Sequence, residues 1–328
     1  MPQRSVVTVG NFDGVHVGHR AIVARARQVA DEHDAAVVAI TFDPHPAAVL
    51  RPGAQPPRLT DLAERIALLR EAGADAVRVI EPTRELLSQL PRQFIERLGA
   101  EHAPLAVVEG PNFRFGKDRA GDVRTLAELG RAMSFETIVV DPVETPLLDQ
   151  LVAPVSSSLV RWLLAGGRVA DAARCLGRGY ALTAPVVKGA QRGRTLGVPT
   201  ANLDLGALPG RVLPADGVYA GRAAFDDEDQ TVEHLAAISI GVKPTFDGRR
   251  RVLEAHLLDY AGDLYGRRLT LRFARWLRDQ QPFPNTEALR AQLRRDLAAT
   301  RRLHETALPG WADFPGSARP TFNASATP

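Results

Sequence analysis

Up to about Gly177 the chain alternates short apolar, β-branched runs with amphipathic stretches, and this alternation constrains the fold more than any other feature. Val6–Val9 and Ala36–Thr41 read as strands, and between them Ile22, Ala26 and Val29 recur at i, i+4 and i+7, the apolar stripe of a helix. A second helix starts near Thr60, carries Leu62, Ile66 and Leu69 as its stripe and ends at Gly73. Further strands are predicted at Ala76–Ile80, Leu105–Val108 and Phe135–Val140. Two helices close this half, Ser157–Ala165 before Gly166 and Gly167, and Val169–Leu176 before Gly177. Strands interleaved with helices in this way predict an α/β domain with a parallel sheet and crossover helices.

After Gly179 the texture changes. Tyr180–Val187, Gly217–Ala224, His234–Ile240, Val252–Tyr260 and Leu269–Phe273 follow one another as strand candidates without intervening helices, which predicts a small antiparallel barrel or sandwich. One helix follows, with Asn285 as N-cap, Glu287 in its first turn and Leu289, Leu293 and Leu297 on one face. The expected organisation is therefore one domain over residues 1–178, a second over 179–305, and a disordered tail over 306–328, rich in Pro, Ala, Gly, Ser and Thr.

Composition narrows the setting. With 328 residues, 45% hydrophobic and 24% charged, the chain can bury two cores. Its one cysteine, Cys175, excludes an internal disulfide framework and any zinc site built on several thiolates. No apolar run approaches the roughly 18 residues of a membrane helix, and Met1–Val9 offers no signal-peptide core, so a cytoplasmic protein without membrane partners is expected. Lys117, Lys188 and Lys243 are the only lysines, so arginine supplies nearly all of the 41 cations. Against 38 acidic residues the net charge of +3 is a poor footprint for a nucleic-acid binder, and no such partner is expected.

Five segments carry residues suited to chemistry. Gly10-Asn11-Phe12-Asp13-Gly14-Val15-His16-Val17-Gly18-His19 begins where the first strand ends and runs into the first helix, whose unpaired N–H groups suit an anion. His16 and His19 share a face of that turn as further donors to phosphate, with Gly18 leaving the backbone approachable; capping histidines, or a metal pair lacking a third ligand, are the alternatives. Thr41-Phe42-Asp43-Pro44-His45-Pro46 lies at the exit of the second strand, where ligands collect in open α/β sheets, and equally reads as a rigid turn. Ser156-Ser157-Ser158-Leu159-Val160-Arg161 places a cation in a first helical turn, against the helix dipole, so Arg161 calls for a compensating phosphate or a neighbouring carboxylate.

In the second half, Gly193-Arg194-Thr195-Leu196-Gly197-Val198-Pro199-Thr200-Ala201-Asn202 lacks the Gly-Lys-Ser/Thr ending of a P-loop. It offers a glycine-hinged loop followed by the hard oxygens of Thr200 and Asn202, which suit Mg²⁺ shared with nucleotide phosphates or serve as turn residues. Along Val252-Leu253-Glu254-Ala255-His256-Leu257-Leu258, the period of two puts Glu254 with Val252, His256 and Leu258. A carboxylate among apolar neighbours can serve as a general base; a solvated edge strand explains it as well.

Taken in this order, the five segments resemble the bacterial bifunctional riboflavin kinase/FAD synthetase family from about Val6 to about Leu297. The first half resembles its nucleotidylyltransferase-type FMN adenylyltransferase module, with the His-x-Gly-His signature at His16 and His19 and the Ser-Ser-Thr/Ser-x-x-Arg element at Ser157–Arg161, where Ser158 replaces the usual threonine. The second resembles its flavokinase barrel, with Pro-Thr-Ala-Asn at Pro199–Asn202 as the Mg·ATP element and Glu254 as the base.

The resemblance implies two transferase reactions: riboflavin plus ATP to FMN and ADP in the second domain, then FMN plus ATP to FAD and pyrophosphate in the first. It implies ATP contacts from Gly10, Phe12, Asp13, Gly14, His16, Gly18, His19, Ser157, Ser158 and Arg161, with His16, His19 and Arg161 also catalytic. Flavin contacts would come from His45 and from Asn112, which stands where the family more often has Gly-x-Asp-Phe. In the kinase, Gly193, Gly197, Thr200 and Asn202 would hold ATP, the last two also Mg²⁺, and Glu254 would be catalytic. Two other readings compete: a riboflavin kinase whose first domain only binds nucleotide, and a flavin- or RNA-binding regulator using arginines such as Arg249–Arg251, Arg294-Arg295 and Arg301-Arg302.

Overall fold

The computed structural model describes residues 4–189, 193, 196–227, 230–245 and 248–302. The tail expected at 306–328 and the loop residues Arg194 and Thr195 lie outside these. The chain divides into two compact units between Val160 and Arg161.

In the first unit the strands β1 (Ser5–Val9), β2 (Ala36–Phe42), β3 (Ala76–Ile80), β4 (Pro104–Glu109) and β5 (Glu136–Val139) form one parallel sheet in the order β3-β2-β1-β4-β5. The strand order reverses direction between β1 and β4, the point at which open α/β sheets part to admit ligands. Alternation along β1 and β2 sends side chains to two buried faces. Val6, Val37 and Ala39 pack under α1 (Val17–Glu32) and α3 (Leu62–Glu71), which contribute Val23, Ala26, Val29, Leu68 and Leu69. Val7, Val38 and Ile40 pack under α5 (Pro91–His102) and α6 (Val123–Met133), which contribute Ile95, Leu98, Leu126 and Leu129. The short helices α2 (Pro46–Leu50) and α4 (Arg84–Leu87) and a hairpin of β6 (Glu144–Pro146) and β7 (Val152–Pro154) complete the unit.

The helix α7 (Ser157–Ala165) spans the division, and α8 (Val169–Leu176) packs on the last strand of the second unit. There β8 (Tyr180–Val187), β9 (Ala201–Leu203), β10 (Gly217–Asp227), β11 (Gln230–Thr245), β12 (Gly248–Leu257) and β13 (Arg268–Arg278) close into an antiparallel barrel in the order β10-β11-β12-β9-β8-β13. Tyr219 and Phe273 meet edge-to-face inside it at 5.3 Å, among Leu182, Ile238, Leu253 and Leu271. The C-terminal helix α9 (Thr286–Arg302) starts at Asn285, whose Oδ1 accepts the Ala288 N–H at 2.9 Å, and lies on β10 and β11. No helix among the described residues is long and apolar enough to cross a membrane.

Candidate active sites

The link from β1 to α1 is a strained turn. Phe12, Gly14 and Val15 all adopt positive φ, at 46°, 85° and 37°, a region that costs most for a β-branched residue such as Val15. The surroundings hold it there. The buried Asp13 carboxylate accepts the N–H groups of Leu59 and Thr60 at 3.0 and 3.1 Å, the Gly14 N–H reaches Thr60 Oγ1 at 3.1 Å, and the Thr41 hydroxyl donates to Asn11 O at 3.2 Å. Ser157 Oγ donates to the Asp13 carbonyl at 2.8 Å, so the start of α7 is pinned to the same turn. The Asp13 carboxylate is thus engaged in bracing the loop.

His16 is the N-cap of α1, and its Nδ1 accepts the His19 N–H at 3.3 Å. An acceptor Nδ1 places the proton of the neutral ring on Nε2, which makes His16 a donor. The two imidazoles stack with centroids 3.6 Å apart, and Phe12 meets His19 edge-on at 5.2 Å. Burial, His16 and the cation of Arg65 hold the His19 pKa well below its usual value, so the ring is neutral, and its Nδ1 is buried with no hydrogen-bond partner among the described residues. Gly18 makes room for this stack: a Cβ there would come within 3.2 Å of the His16 ring. At Gly10 a Cβ would meet the Phe12 ring at the same distance.

Beside this turn lies a cavity of about 540 Å³, lined by Val9, Gly10 and Asn11 on one side and by Asn112–Gly116 on another, with Phe42, Phe94, Leu86 and Leu87 giving it an apolar wall. His45 and Asn112 both line it. His45 caps α2, its Nδ1 accepting the Ala47 N–H at 3.1 Å. Ser156 caps α7 through its Oγ and the Leu159 N–H at 3.1 Å, while Ser158 is exposed. Arg161 falls one turn beyond Ser157, as the first residue of the second unit.

In the barrel, β12 turns Leu253, Ala255 and Leu257 inward and Glu254 outward. Glu254 is nevertheless only 9% exposed, because it pairs directly with Ser239 on β11 and with Asn202 on β9. Directly opposed residues of antiparallel strands have Cβ atoms about 4.5–5.5 Å apart, so the carboxylate and the amide share one patch. Thr200 precedes that strand and lines a cavity of about 410 Å³ with Tyr260, Leu264 and Tyr265. His256 holds the approach, its Nδ1 lying 2.7 Å from Pro199 O. The glycines upstream form a cradle: a Cβ at Gly189 would fall 2.4 Å from the Asn202 side chain, and one at Gly193 would strike Val198 O at 2.3 Å, with Thr200 Oγ1 3.5 Å away. Gly197 takes φ 75° in the same loop. Oxygens of a threonine and an amide beside such a cradle suit a Mg²⁺ that draws the rest of its shell from phosphates.

Several contributors are not singled out by the sequence. Arg65 sits on the apolar side of α3, its Nη1 donating to Thr41 Oγ1 at 3.2 Å and Phe42 O at 2.9 Å. Glu109, buried at the end of β4, accepts the Val9 N–H at 2.6 Å. Gln280 donates to Ser239 Oγ at 2.9 Å beside Glu254. An arginine three residues from Leu62 and four before Leu69 hints at a buried role for Arg65; nothing local marks Glu109 or Gln280. Of the arginines that suggested an RNA-binding surface, Arg251 holds Asp216 at 2.7 Å and Arg301 holds Asp259 at 2.8 Å.

Comparison with known proteins agrees with both halves. The FAD synthetase family matches residues 1–150 and the riboflavin kinase family residues 176–304. A bifunctional riboflavin kinase/FMN adenylyltransferase of Pseudomonas fluorescens is 39% identical over 304 residues, 91% of this chain and 92% of its own. The protein of that description from Escherichia coli K12 is 35% identical over 292 residues, covering 89% and 90%. A solved structure described as a macrolide-efflux protein from Streptococcus pneumoniae is similar at TM-score 0.82 and 29% identity over 92% of this chain and 95% of that one. The chain thus belongs to the bifunctional riboflavin kinase/FMN adenylyltransferase family, with the FAD synthetase domain first and the riboflavin kinase domain second.

Proposed function

We propose that the two reactions of this transferase run at the two sites just described, the barrel phosphorylating riboflavin to FMN and the sheet unit adenylylating FMN to FAD. In the barrel, Glu254 takes the proton of the ribityl 5′-hydroxyl as that oxygen attacks the γ-phosphate of ATP and ADP leaves. Thr200 and Asn202 would hold Mg²⁺ together with the ATP phosphates, and the bound ion supplies neutralisation of phosphate charge. Gly193 and Gly197 contact the nucleotide.

In the sheet unit the flavin occupies the apolar cavity, against His45 and Asn112. A phosphate oxygen of FMN attacks the α-phosphate of ATP and pyrophosphate leaves; the nucleophile is already an anion and needs no base. His16, through its Nε2–H, and the neutral His19 donate to the phosphate oxygens, the backbone of Gly10–Gly14 and Gly18 admits the triphosphate, and Ser157, Ser158 and Arg161 complete its contacts. The observation that carries this assignment is the stacked His16–His19 pair on the same β1–α1 turn whose first residues, Gly10 and Asn11, line an apolar cavity with Val9. The setting we assign is cytoplasmic. The test is incubation of the purified chain with riboflavin, ATP and Mg²⁺: FMN appears first and FAD second. Absence of FMN overturns the kinase assignment, and FMN without FAD overturns the adenylyltransferase assignment.

A further inference from the structure

The reactions above leave Glu109 unused, although it occupies the point where the sheet parts. The strands β1 and β4 pair only from Ser5–Val7 to Pro104–Val107, yet both run on, to Val9 and Glu109. Where the backbone ladder ends, the Val9 N–H turns to Glu109 Oε1 at 2.6 Å, so a side chain replaces the missing backbone rung. The residue is 3% exposed, and burial holds its carboxyl well above the usual carboxylate range.

Each end of this rung leads straight into the cavity. Val9 lines it, followed by Gly10 and Asn11. On the other strand a tight turn, with the Phe113 N–H on Gly110 O at 3.0 Å, carries the chain from Glu109 to Asn112 and Phe113 on the facing side. The main-chain oxygen of Glu109 accepts the Val140 N–H at 2.8 Å and anchors it to the segment after β5.

We propose that Glu109 is a positioning residue for the flavin substrate: its side-chain bond to the Val9 N–H joins the Val9–Asn11 and Asn112–Phe113 walls of the cavity and sets the width that FMN must fit. The inference rests on the cavity being the flavin site of adenylyl transfer.

The test follows FAD formation from FMN by the full-length protein at saturating ATP, with riboflavin phosphorylation as the internal control. Glu109→Gln keeps an acceptor of the same reach for the Val9 N–H, and its KM for FMN stays within about twofold of the parent. Glu109→Val has no acceptor; its KM for FMN rises about tenfold, the change that about 1.4 kcal/mol makes, while kcat and kinase activity change little. Glu109→Asp, one methylene short, raises KM in the same direction and carries the test if the valine variant does not fold. Unchanged KM in the valine or aspartate variant, a glutamine variant as impaired as valine, or a loss confined to kcat overturns the proposal. Ala47 also lines the cavity, and Ala47→Trp, which fills it, separates the two claims: if it leaves the KM for FMN unchanged, the flavin site itself is misplaced, whereas a rise there without one in Glu109→Val refutes only the role of Glu109.

Discussion

The ring of His16 lies on that of His19, centroids 3.6 Å apart and planes 19° from parallel, and its Nδ1 takes the His19 N–H. Burial, with His16 and Arg65 nearby, keeps the His19 ring neutral, as the proposed role of a neutral donor to phosphate requires. His19→Ala is expected to lower kcat for FAD formation by about 10²–10³, the usual loss for one donor to a transition-state oxygen, and to leave FMN formation unchanged. Gly18→Ala pushes on the His16 ring and lowers the same rate by about tenfold, as 1.4 kcal/mol of lost stabilisation requires. Steady-state assays of both half-reactions check each variant.

Asp13 makes a different prediction. Its removal in Asp13→Ala strands the buried N–H groups of Leu59 and Thr60, each at about 1–3 kcal/mol. The variant should melt several degrees lower and lose FAD formation, because Phe12 and Val15 are held at positive φ by that brace. Calorimetry beside the FAD assay tests this; an unaltered melting temperature contradicts it.

Two titrations in the sheet unit have opposite signs. The folded pKa of His19 lies below its ordinary 6.5, so the unfolded chain binds more protons there and stability falls as pH drops below about 6.5. The folded pKa of Glu109 lies above its ordinary 4.5, so its contribution is complete below about 4.5 and is lost as pH rises toward the folded value. His19→Gln should flatten the acid side of the stability profile and Glu109→Gln the alkaline side. Urea midpoints measured from about pH 5 to pH 9 read both.

In the barrel, Arg278 grips Asp296 of α9 with Nε at 3.1 Å and Nη2 at 2.9 Å. Asp296→Ala leaves a largely buried guanidinium without its anion, a loss of about 3–5 kcal/mol for such pairs. The expected result is a lower unfolding temperature with the helix packed less firmly on β10 and β11, read by calorimetry and hydrogen exchange.

Much of this architecture was legible because local chemistry determines it. Gly166, Gly167 and Gly177 end α7 and α8 where the sequence places those ends, and Gly167 and Gly177 take positive φ. The β-branched runs of β1 and β2 and the strand β8 fall within a residue of expectation. Other elements needed the tertiary structure. The three-residue β9 is too short to show a period, yet it is what sets Asn202 opposite Glu254. On α3 the stripe turns toward Leu68, Leu69 and Arg65, leaving Leu62 and Ile66 half-buried, because Arg65 bonds to the end of β2. The helices α5 and α6 and the β6–β7 hairpin were likewise not predicted. Glu109 was invisible for the same kind of reason: its partner is 100 residues away.

The claim that the two reactions have separate sites is tested most directly by chromatography of the flavins made by Glu254→Gln. Given riboflavin, ATP and Mg²⁺, this variant should make no FMN; given FMN, it should make FAD at the parent rate. FMN formed from riboflavin at the parent rate, or loss of both products from a folded variant, contradicts the account.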